Sequence, residues 1–99
     1  MSTYIDRVEP LGQAMYARQL SVGSSSANTA LTTGVNRISM RAVGADIRYE
    51  IGIGSQTATT SSHFIANGER LDVAVPSNAN IAVIRNATTD GVLEVTELS

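Results

Sequence analysis

The sequence predicts an all-β domain: a single small β-sandwich of the jelly-roll or Greek-key type, with about seven or eight short strands and an extended N-terminal arm. Apolar and polar residues alternate over several short segments, which is the period of a half-buried strand. Turn residues interrupt these segments about every ten residues. The chain has 99 residues, 42% of them hydrophobic and only 4% aromatic, so it can build one modest core.

Four segments show the alternation clearly, and they are residues 37–43, 46–53, 70–75 and 91–98. Residues 81–84 are apolar without a break, which is typical of a strand that is covered on both faces. Weaker strand candidates are residues 20–22, 29–32 and 62–66. The pattern predicts that Tyr49 and Phe64 face inward. Asn67-Gly68 and Asp90-Gly91 are the dipeptides most typical of hairpin turns, so we expect hairpins there.

Charges restrict how the two strands within residues 37–53 can pair. A two-residue loop would place Arg41 opposite Arg48, and like charges directly opposite each other are unfavourable. A four-residue loop instead sets Arg37 against Glu50. We therefore predict either the longer loop or an arch that sends the two strands to different sheets. Arg37, Arg41, Arg48 and Glu50 are candidates for partner-binding or inter-strand charges.

The first 17 residues differ from the rest in their pattern, because the period-two alternation begins only at about Arg18. The predicted division is therefore an arm over residues 1–17 and a β-sandwich over residues 18–99. Pro10 and Gly12 oppose a continuous helix in the arm, although one helical turn near residues 13–17 is compatible with the sequence. An arm this apolar either folds back on its own domain or docks on a neighbouring subunit. The candidate partner-binding residues of the arm are Tyr4, Ile5, Val8, Leu11, Met15 and Tyr16.

The residues offer little for catalysis. The chain has one histidine, His63, and no cysteine, so we expect neither a nucleophilic triad nor a transition-metal site. The carboxylates at Asp46, Glu50 and Asp72 stand beside arginines on predicted outward positions rather than as a converging pair. We predict no enzyme activity, no catalytic residue, no metal and no cofactor.

Composition also bears on partners. The formal net charge is −2 and all seven basic residues are arginines, which does not provide the basic footprint of a nucleic-acid-binding protein. No stretch approaches the length of a membrane span, and the charged N-terminus does not fit a Sec-type signal. We therefore expect neither nucleic acid nor membrane as a partner, and synthesis in a host cytoplasm without Sec-type export.

The strand-and-turn segments 44–49, 51–54, 81–85 and 89–98 together resemble small virion structural proteins of tailed bacteriophages. The resemblance extends from about Leu20 to Leu98, and its motifs are structural patterns rather than reactive signatures. It implies a β-sandwich displayed in many copies on the phage head. The role implied is that of a capsid decoration (cement) protein, commonly a homotrimer that bridges adjacent major capsid protein subunits.

Other functions stay open at this point. A head–tail connector, tail or fibre-associated component would share the fold but show ring symmetry. A carbohydrate- or receptor-binding module would need exposed aromatic side chains for stacking. An apolar arm, a thin core and outward charges all favour a protein that holds on to other protein surfaces, with many weak contacts adding up through multivalency.

Overall fold

The computed structural model of the chain describes residues 14–98. These residues form eight β-strands and no helix, which confirms the all-β fold class. The strands are β1 (Ala14–Val22), β2 (Ala27–Ala30), β3 (Arg37–Val43), β4 (Ile47–Ile53), β5 (His63–Ile65), β6 (Arg70–Ala74), β7 (Ala79–Arg85) and β8 (Gly91–Leu98).

The strands make two four-stranded sheets that face each other. The first sheet has the order β1-β8-β3-β6 and the second has the order β2-β7-β4-β5, with every pairing antiparallel. Strands that are consecutive in the chain lie in different sheets, except β4 and β5, which are neighbours in the second sheet. This strand order is that of the jelly roll, one of the two sandwich types that the sequence predicts.

The core lies between the sheets, and both contribute to it in the expected alternation. Ile38, Met40 and Leu93 come from the first sheet and are at most 1% exposed, as are Ile47 and Ile81 of the second. Aliphatic side chains that leave water on folding supply most of the stabilisation, at about 25 cal/mol per Å². The period-two pattern therefore places the core correctly in β3, β4 and β8.

The connection from β3 to β4 is an arch between the two sheets, the second of the two alternatives predicted from charge. Arg41 lies opposite Glu94 on β8 and Arg70 on β6, and it does not pair with Arg48. Arg48 lies opposite Ile84 and Phe64 in the other sheet. The expected hairpin with Arg37 facing Glu50 therefore does not form.

The expected hairpins at Asn67-Gly68 and Asp90-Gly91 are also wrong, because both turns lead from one sheet to the other. Gly68 still uses the left-handed backbone conformation that the turn signal implies, with φ of 85°. Gly91 is needed for a close approach, since a Cβ there would lie 2.9 Å from the carbonyl oxygen of Val43. The turn chemistry is local, whereas the choice of sheet depends on distant strands.

Strand β1 begins at Ala14 and pairs along its length with β8. The helical turn considered near residues 13–17 is therefore wrong for Ala14–Ala17, which pairing with β8 holds in extended form. Met15 lies at a shift in the β1–β8 register, where β1 carries one residue more than β8. Of the predicted arm contacts, Tyr4, Ile5, Val8 and Leu11 lie outside the described residues.

Residues 54–62, here called the covering segment, cross the outer face of the second sheet. The Gln56 amide donates to Asn28 Oδ1 at 2.9 Å, and the Ala58 amide donates to Ser26 Oγ at 2.8 Å, so the segment reaches from β4 to the edge at β2. Ala58 is buried, and Ala82, on the outward side of β7, is fully buried. This burial agrees with the sequence prediction that β7 is covered on both faces.

Candidate functional site

Three large apolar side chains are exposed at the end of the sandwich where β1 begins, here called the proximal end. Met15 is 47% exposed, Tyr16 is 52% exposed, and Ile53 at the end of β4 is 73% exposed. The two sheets share this end, because β2 ends at Ala30 in the second sheet and the amide of Thr32, two residues later, donates to Glu97 near the end of β8 in the first sheet. Ile53 lies opposite Ala79, next to Asn80, which pairs with Ala30. Of the six predicted arm contacts, Met15 and Tyr16 lie within the described residues, and both are accessible.

A buried carboxylate fixes the structure beneath this end. Glu97 is fully buried, and its Oε2 accepts hydrogen bonds from Arg18 Nε at 3.0 Å and from the Thr32 amide at 2.9 Å. The Thr32 hydroxyl donates to Glu97 Oε1 at 2.6 Å, and Arg18 Nη2 donates to the Thr32 hydroxyl at 3.1 Å. We call Arg18, Thr32 and Glu97 the Glu97 cluster. It ties β1, β8 and the β2–β3 connection together directly beside Tyr16, which lies opposite Glu97 in the register.

The environment of Glu97 keeps it ionised. Burial raises the pKa of this carboxyl, but the hydrogen bonds from Thr32 and the hydrogen bond and charge of Arg18 outweigh burial, so the net pKa lies below its ordinary value. The side chain is therefore a carboxylate at neutral pH with three hydrogen-bond donors around it. Its donors come from the fold itself, so the Glu97 cluster is suited to positioning the proximal end.

Arg48 and Glu50 lie on the outer face of the second sheet, and both contact other side chains there. Arg48 donates from Nε to Asn86 Oδ1 at 2.9 Å and from Nη1 to the carbonyl of Ser62 at 3.1 Å. Its guanidinium lies 4.7 Å from the centroid of the Phe64 ring, a cation–π contact. Glu50 lies 3.9 Å from Nε2 of His63.

Phe64 corrects one prediction, because its side chain is 42% exposed and on the outer face rather than in the core. Ile65, the next residue, is the one that is buried. Tyr49 does face inward as predicted. Because Arg48 already occupies one face of the Phe64 ring, this aromatic side chain is a poor platform for stacking a sugar.

Arg37 and Arg41 lie on the outer face of the first sheet. Arg37 is at the start of β3 and half-buried, and Arg41 is exposed near the middle of the sheet. The structure therefore separates the four predicted charges into two groups on opposite outer faces. It also adds Arg70, which the register places directly opposite Arg41.

Tyr49 and His63 are the two ionisable residues that line an open groove of about 300 Å³ between β4, β5 and β6. Their ring centroids are 5.3 Å apart. Burial raises the pKa of the Tyr49 hydroxyl and the negative charge of Glu69 raises it further, so this group stays protonated at neutral pH. Tyr49 is thus unsuited to act as a general base.

Neither Glu97 nor Arg70 is among the site residues predicted from the sequence. The signal for Glu97 was present, because Leu93, Val95 and Glu97 share one face of β8 by alternation. For Arg70 the missing information was the register of β6 against β3, which no local pattern provides.

Within residues 14–98, no group of three or more histidine, aspartate or glutamate side chains is placed to hold a metal ion. The same part of the chain also has no helix with the length and hydropathy that crossing a membrane requires.

Comparison with known proteins supports the fold. No family model matches the chain, and no curated protein matches it. Among solved structures, the chain is similar to a de novo designed double-stranded β-helix, with a TM-score of 0.56, 15% identity, and coverage of 84% of this chain and 99% of that one. It is also similar to PirA, with a TM-score of 0.54, 18% identity, and coverage of 86% and 95%. At these identities the likeness concerns architecture alone.

Proposed function

We propose that this chain is a non-enzymatic structural protein that binds other protein surfaces. Its specific form would be a decoration protein of a tailed-phage head, assembled as a homotrimer on the major capsid protein. The observation that carries the proposal is the exposure of Met15, Tyr16 and Ile53 at one end of a sandwich whose core is otherwise well closed. Large apolar side chains exposed at one end of a domain, next to a rigid polar cluster, are typical of a contact surface.

The Glu97 cluster supports this role because Arg18 of β1 is bonded both to Glu97 on β8 and to Thr32 in the β2–β3 connection. A contact surface that is rigid before binding loses less conformational entropy on association. The arm residues Tyr4, Ile5, Val8 and Leu11 would continue the apolar surface from the proximal end. The placement on a phage head, the trimer and the capsid partner rest on the sequence resemblance.

Multivalency explains how such a small surface could keep the protein attached to a phage head. One proximal end offers only a few apolar side chains, which corresponds to modest affinity. A homotrimer presents three copies at once, and linked sites release far more slowly than single ones. The proposal therefore requires assembly and binding to be lost together when the proximal end is made polar.

The double variant Met15→Ser and Tyr16→Ser tests the proposal. We expect it to keep the wild-type circular dichroism spectrum, because both side chains are exposed, and to lose trimer formation in sedimentation velocity. It should also fail to co-sediment with heads purified from the encoding phage after deletion of this gene. Val43→Ser is the matched control, since Val43 is 42% exposed at the opposite end. A double variant that assembles and binds like wild type would refute the role of this surface.

Deletion of residues 2–13 separates the two hypotheses for the arm while leaving β1 whole. Loss of head binding by a folded domain supports docking on a neighbour. Global unfolding supports an arm that folds back on its own domain. A wild-type chain that is monomeric and does not bind heads would contradict the proposed function itself.

A further inference from the structure

Two arginines face each other on the outer surface of the first sheet. Arg41 on β3 and Arg70 on β6 are directly opposite in the register, and both are exposed. Like charges in this arrangement oppose sheet pairing. Neither Arg41 nor Arg70 is ion-paired with another of residues 14–98.

The neighbouring carboxylates do not neutralise the pair. Glu94 lies opposite Arg41 on β8, but its Oε1 accepts a hydrogen bond from Gln19 Nε2 at 3.2 Å, on the side away from Arg41. Asp72 lies opposite Ser39, one position along the outer face from Arg70. Arg41 and Arg70 are therefore neighbours on this face, with Glu94 on the β8 side of Arg41 and Asp72 further along β6.

One of the two guanidinium groups is already held in place. Arg70 Nε donates to Ser39 Oγ at 3.1 Å, and Ser39 is only 7% exposed, so its hydroxyl is a fixed anchor. This bond uses the inner nitrogen and leaves the outer nitrogens of Arg70 available as donors. Arg70 is thus held across β3 at Ser39, two residues from Arg41, before any ligand binds.

The surface between the arginines is concave. A depression of about 210 Å³ is lined by Ser39, Met40, Arg41, Arg70, Glu94 and Thr96. Its size fits a carboxylate group with a short aliphatic stem rather than a large ligand. Because the depression lies on an open sheet face, an extended segment could cross it while one side chain enters.

We propose that this depression, the arginine site, binds the carboxylate of an aspartate or glutamate in an extended acidic segment of a partner protein. Arginine presents a planar fork that pairs with a carboxylate through two parallel hydrogen bonds, and two adjacent forks suit such a group. The inference rests on the proposed function for the source of the carboxylate. Glu94 and Asp72 at the flanks, and the net charge of −2, disfavour a polyanionic nucleic acid.

The first experiment titrates the folded chain with peptides while following the arginine Nε–Hε signals by NMR. The probe is a synthetic peptide of alternating threonine and glutamate, and the matched control replaces each glutamate by glutamine. We expect the glutamate peptide alone to shift the signals of Arg41 and Arg70, with the Arg85 signal unchanged. Equal shifts with both peptides, or none, would overturn the site. A larger shift with inorganic phosphate at the same concentration would overturn the carboxylate assignment, leaving an adventitious ion only.

The second experiment compares head binding by two double variants. The variant Arg41→Gln with Arg70→Gln removes both positive charges and both planar guanidinium groups, and we expect about tenfold weaker binding. Arg41→Lys with Arg70→Lys keeps the charge but loses the fork, so its affinity should fall between the glutamine variant and wild type. Lysine variants that bind like wild type would overturn bidentate recognition.

The two proposals fail differently. If wild type binds heads and the glutamine variant binds equally well, the arginine site is overturned while the proposed function stands. If the wild-type protein does not bind heads but the glutamate peptide shifts the NMR signals of Arg41 and Arg70, the proposed function is wrong and the arginine site is supported. Glu94→Gln should strengthen peptide binding, since it removes a competing negative charge, and weaker binding would count against the site.

Discussion

The outer faces of the two sheets differ in what lies on them. On the second sheet, residues 54–62 run across the strands, Ala82 beneath them is fully buried, and Arg48 has two hydrogen bonds and an aromatic ring. The outer face of the first sheet carries exposed polar side chains, and Arg41 there is exposed and not ion-paired with any carboxylate of residues 14–98.

This difference shows how to separate structural charges from charges available for binding. Arg41 and Arg48 occupy similar outward positions in β3 and β4, which are consecutive in the chain, lie in different sheets and show the same alternation. Arg48 donates to the carbonyl of Ser62 because residues 54–62 return over its sheet. No such segment within residues 14–98 covers Arg41, so its guanidinium nitrogens are available as donors. In our proposal, the available donors rather than the charge itself make the outer face of the first sheet a binding face for a partner.

The largest contrast should be found on β8, which carries one glutamate inward and one outward. Glu97→Gln removes the charge that three donors surround, and we expect a loss of about 2–3 kcal/mol in the free energy of unfolding. Glu94→Gln changes an exposed side chain, so the loss should stay within about 0.5 kcal/mol. Urea unfolding followed by far-UV circular dichroism measures both. Equal losses would show that Glu97 does not stabilise the proximal end.

Acid provides a check on the same residue. Because the pKa of Glu97 is lower in the folded than in the unfolded state, its contribution is complete above the ordinary value of 4.5 and is lost as the pH falls through the folded-state pKa. The stability difference between wild type and Glu97→Gln should therefore shrink below about pH 4.5. A difference that stays constant into acid would contradict the charged state of Glu97.

The covering segment provides the second contrast. Ala82→Leu adds volume where Ala82 is fully buried under residues 54–62, and we expect a cost of about 1–3 kcal/mol. Ala17→Leu makes the same change on the open face of β1 and should cost less than about 0.5 kcal/mol. Thermal unfolding of the pair measures this difference. Similar melting temperatures would mean that residues 54–62 do not pack on the second sheet.

The third contrast concerns Arg48. Arg48→Gln removes the cation–π contact with Phe64 and weakens the hydrogen bonds to Asn86 and Ser62, so we expect a loss of about 1 kcal/mol. Chemical denaturation at neutral pH is the measurement. Its stability should be compared with that of Arg41→Gln, and a larger loss for Arg41→Gln would reverse the assignment of the two faces.

The smallest effect is expected for Arg41→Gln itself. Removing one member of the Arg41–Arg70 pair relieves repulsion, so stability should be unchanged or rise by up to about 0.5 kcal/mol. Added salt screens exposed charges, so any gain should decline as ionic strength rises. Denaturation at two salt concentrations tests this, and a clear loss at low salt would indicate a carboxylate partner within the domain.

The sequence was sufficient for the sandwich and most of its core, because alternation in β3, β4 and β8 needs no knowledge of distant strands. It could not choose between an arch and a hairpin after β3, since that choice depends on β8 lying beside β3. It also misplaced Phe64, because adjacent apolar residues at 64 and 65 fit either face equally well.

The candidate site was only half accessible to sequence reasoning. Exposed Met15 and Tyr16 follow from an apolar segment before the first clear strand, and Arg41 follows from its outward position. The neighbours of Arg41 cannot be predicted in this way, because Arg70 lies opposite it only through the register between β3 and β6, which are far apart in the chain. Alternation puts Glu97 on the inward face of β8, but a buried charge is stable only with partners, and Arg18 and Thr32 are too distant in the chain for the sequence to reveal them.

The position of β8 has a consequence for biosynthesis. In the first sheet β8 lies between β1 and β3, so the earliest strand has no partner in that sheet until Gly91–Leu98 has emerged from the ribosome. Folding of such non-local topologies is slow, and unpaired strands are open to aggregation in the meantime. Closure of the sandwich must therefore follow translation of nearly the whole domain, and nascent chains stalled before β8 should remain sensitive to protease.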